Sequence, residues 1–214
     1  MDEEVMTAAE SAETGELPKT KPYGIAADLY DWFDNIFYGL LILAFLFVLV
    51  TRTTSVDGTS MVPTLEDKQL LLVWDAGYEP AYNDIVVVWS DTLPNDKDGA
   101  GKAIVKRVIG LPGDTINIDY WAGTVKRNGE VLNITSRDGV LYEDGHMIND
   151  FTRTDEGQGG DFTVPENCLF VMGDNRNGST DSRSRLIGFI DKRYVVGKAY
   201  FRLYPFDKLG GLYD

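Results

Sequence analysis

The chain has 214 residues, 43% of them hydrophobic, with a formal net charge of −14, one histidine and one cysteine. That is room for one domain with appendages and a real core, with no intrachain disulfide, and the acidic balance excludes a nucleic-acid binder that tracks phosphates on a basic face. A single histidine excludes a zinc protease of the two-histidine helix type, and no cofactor or metal site is expected.

Residues 1–28 are acidic and poor in large apolar side chains, a composition that reads as a disordered tail. An uncharged apolar run follows from Ile36 to Val50. As a helix it measures about 22 Å, short of the roughly 20 residues a hydrocarbon core needs, so Trp32, Phe33 and Thr51 must extend it. Trp32 and Tyr30 would anchor it at the interface, and residues 29–52 are expected to form one transmembrane helix. A buried core helix would show a polar face, and a cleaved signal peptide would begin basic and exit through small residues. This run does neither.

From residue 53 to residue 214 the chain reads as strands. Gln69–Trp74, Asp84–Trp89, Lys102–Gly110, Asp114–Ile118, Cys168–Met172 and Tyr194–Tyr204 are aliphatic or β-branched runs between turn residues. Thr124–Arg127 and Glu130–Ile134 flank Asn128-Gly129, a strong hairpin signal. No amphipathic helices are present to cross over between parallel strands. The expected fold class is therefore mainly β, an antiparallel sheet or barrel-like catalytic domain behind one membrane helix. Residues 135–161 are Gly/Asp-rich and read as a surface excursion; His146 falls in it, without a Ser-His-Asp motif around it.

Three stretches carry reactive groups. Val56–Leu65 (VDGTSMVPTL) places Ser60 between Gly58 and Pro63, which suits either a fixed turn that exposes a hydroxyl or an idle linker. In Lys102–Asp114, two cations interrupt an aliphatic strand. By period-two alternation Lys106 shares a face with Ile104 and Val108, and Arg107 with Val105 and Ile109. A lysine forced out of water sheds its proton, whereas arginine keeps its charge and needs a carboxylate. The alternative is that both cations snorkel from a strand edge. In Phe170–Arg183, Asp174, Arg176, Asp181 and Arg183 crowd a polar run that suits bidentate ion pairs. A calcium loop is disfavoured by the arginines and by the missing EF-hand spacing.

In order, Ser60–Leu65 (SMVPTL), Lys106–Asp114 (KRVIGLPGD) and Gly173–Arg183 (GDNRNGSTDSR) resemble the type I signal peptidases, over roughly residues 30 to 205. The resemblance implies a serine endopeptidase that removes signal peptides from exported preproteins, with Ser60 as nucleophile and Lys106 as general base. It further implies that Ser179 bonds the lysine amine and that Asp174, Asp181, Arg183 and Arg107 brace the site, Arg107 against Asp174. Implied partners are preproteins and the lipid bilayer, with no nucleic acid. The implied location is the plasma membrane, single-pass, with the catalytic domain outside the cytoplasm and the site close to the bilayer. Gly58 stands where Gram-negative members carry a serine that helps hold the oxyanion, as is usual in Gram-positive members. Asn177-Gly178 stands where the family often has Asp-Asn. The absence of Ser-x-x-Lys argues against a penicillin-recognising enzyme, since Pro63 is the third residue after Ser60. The absence of a DNA-binding module argues against a self-cleaving repressor. A catalytically silent, tethered β module would not need both Ser60 and Lys106.

Overall fold

The computed structural model describes residues 25–90, 101–120, 122–132, 134–135, 141–142 and 160–213. His146, residues 1–24 of the acidic tail and most of the excursion at 135–161 lie outside the described residues. The chain divides into two compact units, residues 1–46 and 47–214.

The described residues of the first unit are helical. Helix α1 runs Ile25–Val50, beginning with Asp28 in its first turn, where a carboxylate meets the positive end of the helix dipole. Within it, Asp28–Val48 is a 21-residue stretch of mean hydropathy 1.6 with no share of it buried, long and apolar enough to cross a membrane. The helix ends sooner than the expected residue 52. Thr51 starts strand β1 (Thr51–Ser55) instead, and its hydroxyl donates to the Phe47 carbonyl at 2.8 Å, satisfying one of the helix's last acceptors. The β-branched Thr51, Thr53 and Thr54 favour extended backbone, and pairing with a neighbouring strand decides the matter.

The second unit is mainly antiparallel β-sheet. Its further strands are β2 (Leu70–Trp74), β3 (Ile85–Ser90), β4 (Lys102–Gly110), β5 (Thr115–Asp119), β6 (Thr124–Arg127), β7 (Glu130–Val131), β8 (Ile134–Thr135), β9 (Leu141–Tyr142), β10 (Gly160–Thr163), β11 (Cys168–Met172), β12 (Ile190–Asp191), β13 (Val195–Tyr204) and β14 (Gly210–Gly211). The large sheet has the order β1-β2-β13-β3-β4-β11-β12, with β14 beside β13; a second sheet is ordered β10-β5-β6-β7, and β8 pairs β9. Asn128 and Gly129 both take positive φ (52° and 89°), as a two-residue hairpin turn requires. The run expected as one strand, Glu130–Ile134, divides: Glu130–Val131 pairs β6, whereas Ile134 pairs Tyr142 of β9. Gly160 and Asp161, read from sequence as part of the excursion, instead open β10 against Ile118 and Asn117 of β5. That pairing is non-local, and no local pattern announces it.

Strand β4 is the axis of the domain. Val105 belongs to a core with Met61, Leu65, Leu71, Val73, Ile85 and Val87. Ile104 and Val108 belong to another with Val86, Val88, Leu169 and Val171. Ile109 joins the third, where Phe170 and Met172 meet Ile116, Ile118 and Val125 of the small sheet. From Ile104 to Gly110 every residue of β4 is buried, so whatever the strand carries on either face is out of water. Phe170 is fully buried and its ring lies 4.9 Å from that of Phe162, just upstream of the polar run at 173–184. Phe170→Ala is expected to cost about 3–5 kcal/mol, read as a lower urea midpoint of the detergent-solubilised protein.

Candidate active site

Ser60 sits in a turn fastened from both ends. Val56, Met61 and Leu65 sink into the core of the large sheet, while Val62 N–H donates to the Thr59 carbonyl (3.2 Å) and Leu65 N–H to the Met61 carbonyl (2.9 Å). Gly58 takes φ +90°, a conformation side-chain-bearing residues avoid, and its N–H donates to Asp67 Oδ1 at 2.7 Å. A serine at this position would be strained, so the turn itself is built for glycine. Asn175 ties the turn to the polar run: its backbone N–H donates to the Ser60 carbonyl (3.0 Å) and its Nδ2 to the Thr59 carbonyl (3.1 Å). Among the described residues nothing accepts from the Ser60 N–H, which leaves it available to an oxyanion.

Lys106 reaches this turn from the middle of β4. Its Nζ donates to Ser60 Oγ at 2.8 Å and to the Val105 carbonyl at 3.0 Å. Strand β11 pairs β4 only from Arg107 onward, so that carbonyl lies on a strand edge β11 leaves open. The residue is 3% exposed, and no carboxylate lies within ion-pair distance of the amine among the described residues. Burial pushes its pKa from 10.5 down to about 8, against the pull of Asp181 and Asp174 and with help from Lys102 and Arg183. At pH 7 about a tenth of the molecules then carry a neutral amine, against under one in a thousand for a solvated lysine.

The other residues singled out in the sequence surround this pair. Arg107 grips Asp174 bidentately, Nε to Oδ1 at 2.8 Å and Nη2 to Oδ2 at 2.6 Å, with both groups buried. Asp181 accepts from the Gly173 N–H (2.9 Å) and from Arg183 Nε and Nη2 (2.8 Å each), while Arg183 Nη2 also donates to the Arg176 carbonyl (2.7 Å). Burial alone would push the Asp181 carboxyl up, but Arg183, the Gly173 N–H and the Ser179 hydroxyl hold it below the usual carboxylate range. Ser179 is buried, yet its Oγ makes no hydrogen bond of ordinary geometry, and the Lys106 amine bonds Ser60 and Val105 instead. The Ser179 hydroxyl is therefore close enough to influence Asp181 without closing a bond to either charge. Gly173 packs so tightly that an added methyl would overlap Ser179 Oγ and the Ser60 carbonyl.

Ser60 and Lys106 line a cleft of about 340 Å³ with Val56, Ile104, Gly178 and Thr180. At its mouth Asp57 bridges Lys102 (2.6 Å) and Lys68 (2.8 Å), joining the turn to β4. Asn175, Asn83 and Gly173 are part of this architecture and were not singled out as site residues from the sequence. Asn175 and Gly173 at least lie inside a recognisable motif, whereas Asn83 carries no local signal.

A hydroxyl bonded to a desolvated amine beside a free backbone N–H, in an open cleft of a β domain, is the constellation of an acyl-transfer hydrolase that needs no histidine. The sequence signature described as signal peptidase, peptidase S26, matches residues 29–204. Signal peptidase I of Bacillus caldolyticus is 37% identical over 176 residues, covering 79% of this chain and 88% of that protein. Signal peptidase I of Bacillus licheniformis is 36% identical over 188 residues, covering 85% and 91%. Signal peptidase I S of Bacillus subtilis strain 168 is 33% identical over 189 residues, covering 85% and 92%. The chain belongs to the signal peptidase family, peptidase S26, and is a serine endopeptidase.

A lysine whose pKa falls on folding destabilises the fold wherever it is protonated in both states. The penalty is present below about pH 8 and is relieved as the pH rises from there toward 10.5. Lys106→Met should therefore raise stability at pH 7 by up to about 3 kcal/mol, with the advantage shrinking above pH 8, as measured by urea unfolding across the pH range.

Proposed function

We propose that the protein removes signal peptides from exported preproteins, with Ser60 as nucleophile and Lys106 as the base that activates it. The observation that carries this reading is the 2.8 Å contact between the Lys106 amine and the Ser60 hydroxyl, made by an amine that burial has brought to a pKa of about 8. A neutral Lys106 takes the Ser60 proton as Oγ attacks the scissile carbonyl, and the oxyanion that forms is held by the Ser60 N–H. On collapse the Lys106 ammonium returns its proton to the leaving amine, and the acyl group remains as an ester on Ser60. Water then gives a proton to Lys106 and attacks the ester, Lys106 passes that proton to Ser60 Oγ, and the carboxylic product leaves. Arg107, Asp174, Asp181 and Arg183 act by fixing the backbone around the pair, and Ser179 supplies a hydroxyl beside it.

Signal peptides end in a small-x-small pattern, so the scissile carbonyl follows a small residue and the cleft needs only shallow apolar subsites. The length and apolarity of α1 support one membrane span; cleavage of exported preproteins puts that span in the plasma membrane, where a substrate already threaded through the bilayer is cut on the far side, outside the cytoplasm. The lipid bilayer is then a partner, and the charge of −14 argues against nucleic acid as another.

Ser60→Ala and Lys106→Ala should each lower cleavage of a preprotein by about a thousandfold or more, with circular dichroism unchanged. Full activity in Lys106→Ala would refute the pairing. In the parent enzyme kcat/KM should climb with pH through an apparent pKa near 8, because only the unprotonated amine is competent. Protease added to intact spheroplasts should degrade the β domain; protection until lysis would place it on the cytoplasmic side.

A further inference from the structure

Arg107 holds Asp174 with one side of its guanidinium, and the other side is held by a residue outside every motif of the site. Arg107 Nη1 donates at 3.0 Å both to the Asn83 carbonyl and to Asn83 Oδ1. Two acceptors from one residue can face one nitrogen because Asn83 adopts φ 71°, in the third position of a turn closed by the Asp84 N–H on the Ala81 carbonyl (3.2 Å). Asparagine tolerates that left-handed conformation better than other side-chain-bearing residues. The turn has no freedom of its own. Asn83 N–H donates to the Val108 carbonyl (2.9 Å) and Val108 N–H to the Asp84 carbonyl (2.8 Å). The Asp84 carboxylate in turn accepts from the Tyr78 hydroxyl (2.7 Å) and the Ala81 N–H (3.0 Å) and pairs with Lys198 (2.5 Å).

We propose that Asn83 is a positioning residue for peptide cleavage, clamping Arg107 so that its fork meets Asp174 and, through Asp174 and Asn175, holding Ser60 against Lys106. The inference rests on the Ser60/Lys106 reading and adds a member to it. The path is continuous: Asn83 to Arg107, Arg107 to Asp174, then the adjacent Asn175 N–H to the Ser60 carbonyl. It also governs charge. Arg107 is the partner that neutralises Asp174, one of the carboxylates that pull the neighbouring Lys106 toward its protonated form. An Arg107 loosened from its far side, or shared with a second carboxylate, leaves Asp174 less neutralised. The charged groups bearing on Lys106 are Lys102 on its own strand and Asp174, Asp181 and Arg183 in the polar run, while the adjacent Arg107 is paired with Asp174. Asp57, on the serine turn, is already occupied by Lys102 and Lys68.

The test is steady-state cleavage of a preprotein by the full-length enzyme in detergent, as a function of pH, for Asn83→Gly and Asn83→Asp, with Ser60→Ala and Lys106→Ala run in parallel. Glycine keeps the left-handed turn and the main-chain acceptor but deletes Oδ1. It should leave the melting temperature near that of the parent and lower kcat roughly tenfold with little change in KM. Aspartate keeps the shape and adds a carboxylate, and should move the acid limb of kcat/KM upward by about half a pH unit. If Asn83→Asp does not fold, the kcat of Asn83→Gly decides. Parental kcat in Asn83→Gly, or a folded Asn83→Asp whose acid limb stays in place, overturns the proposal while inactive Ser60→Ala and Lys106→Ala leave the catalytic pair standing. Activity in Lys106→Ala overturns both.

Discussion

The structure is organised around an amine that has been taken out of water and given a hydroxyl rather than a carboxylate to bond. Lys106 sits on a strand buried on both faces, with Val86 opposite it in β3 and its Nζ on Ser60 Oγ. A carboxylate in that position would stabilise the ammonium and keep the lysine charged at every physiological pH. The two acidic groups near enough to act, Asp174 and Asp181, are each committed to an arginine of their own. The ion pairs around the site can thus be understood as removing negative charge from the lysine's surroundings as much as bracing the fold.

That arrangement has a cost in stability, and the fold meets it by packing. Among the described residues a buried lysine, three buried arginines and four buried aspartates in one small domain are a burden that only dense apolar cores and near-complete hydrogen bonding can offset. Three core clusters meet along β4, which carries Lys106, and two of them share β11, which leads into Asp174. The chain has one cysteine, Cys168, and no disulfide to add to this packing. Glycine marks the closest approaches: Gly173 lets the polar run lie directly against the Ser60 carbonyl, and Gly58 lets the serine turn bend as it does.

Several features were legible in the linear chain because their signals are local. The boundaries of β4, β6 and β11 follow from aliphatic runs and flanking turn residues, and Asn128-Gly129 alone specifies its hairpin. The apolar run announced a helix, and period-two alternation placed Lys106 and Arg107 on opposite, equally apolar faces of one strand. The limits of these signals are equally physical. The helix stops at Val50 because β1 finds β2 as a partner, and Gly160–Thr163 becomes a strand only because β5 lies beside it.

The sequence by itself determined that the domain would be antiparallel β behind an apolar helix and that Lys106 and Arg107 would stand among aliphatic neighbours, and the resemblance of three motifs to one family implied which serine belonged with the lysine. These are properties of periodicity, composition and short contiguous motifs. Only the tertiary structure decided that residues 46 positions apart touch at 2.8 Å, that Ser179 leaves the amine to Ser60 and Val105, and that Asn83 takes hold of Arg107. Distances of that kind depend on how turns from separate strands converge, and turn convergence is set by the packing of the whole sheet, which no stretch of chain encodes alone.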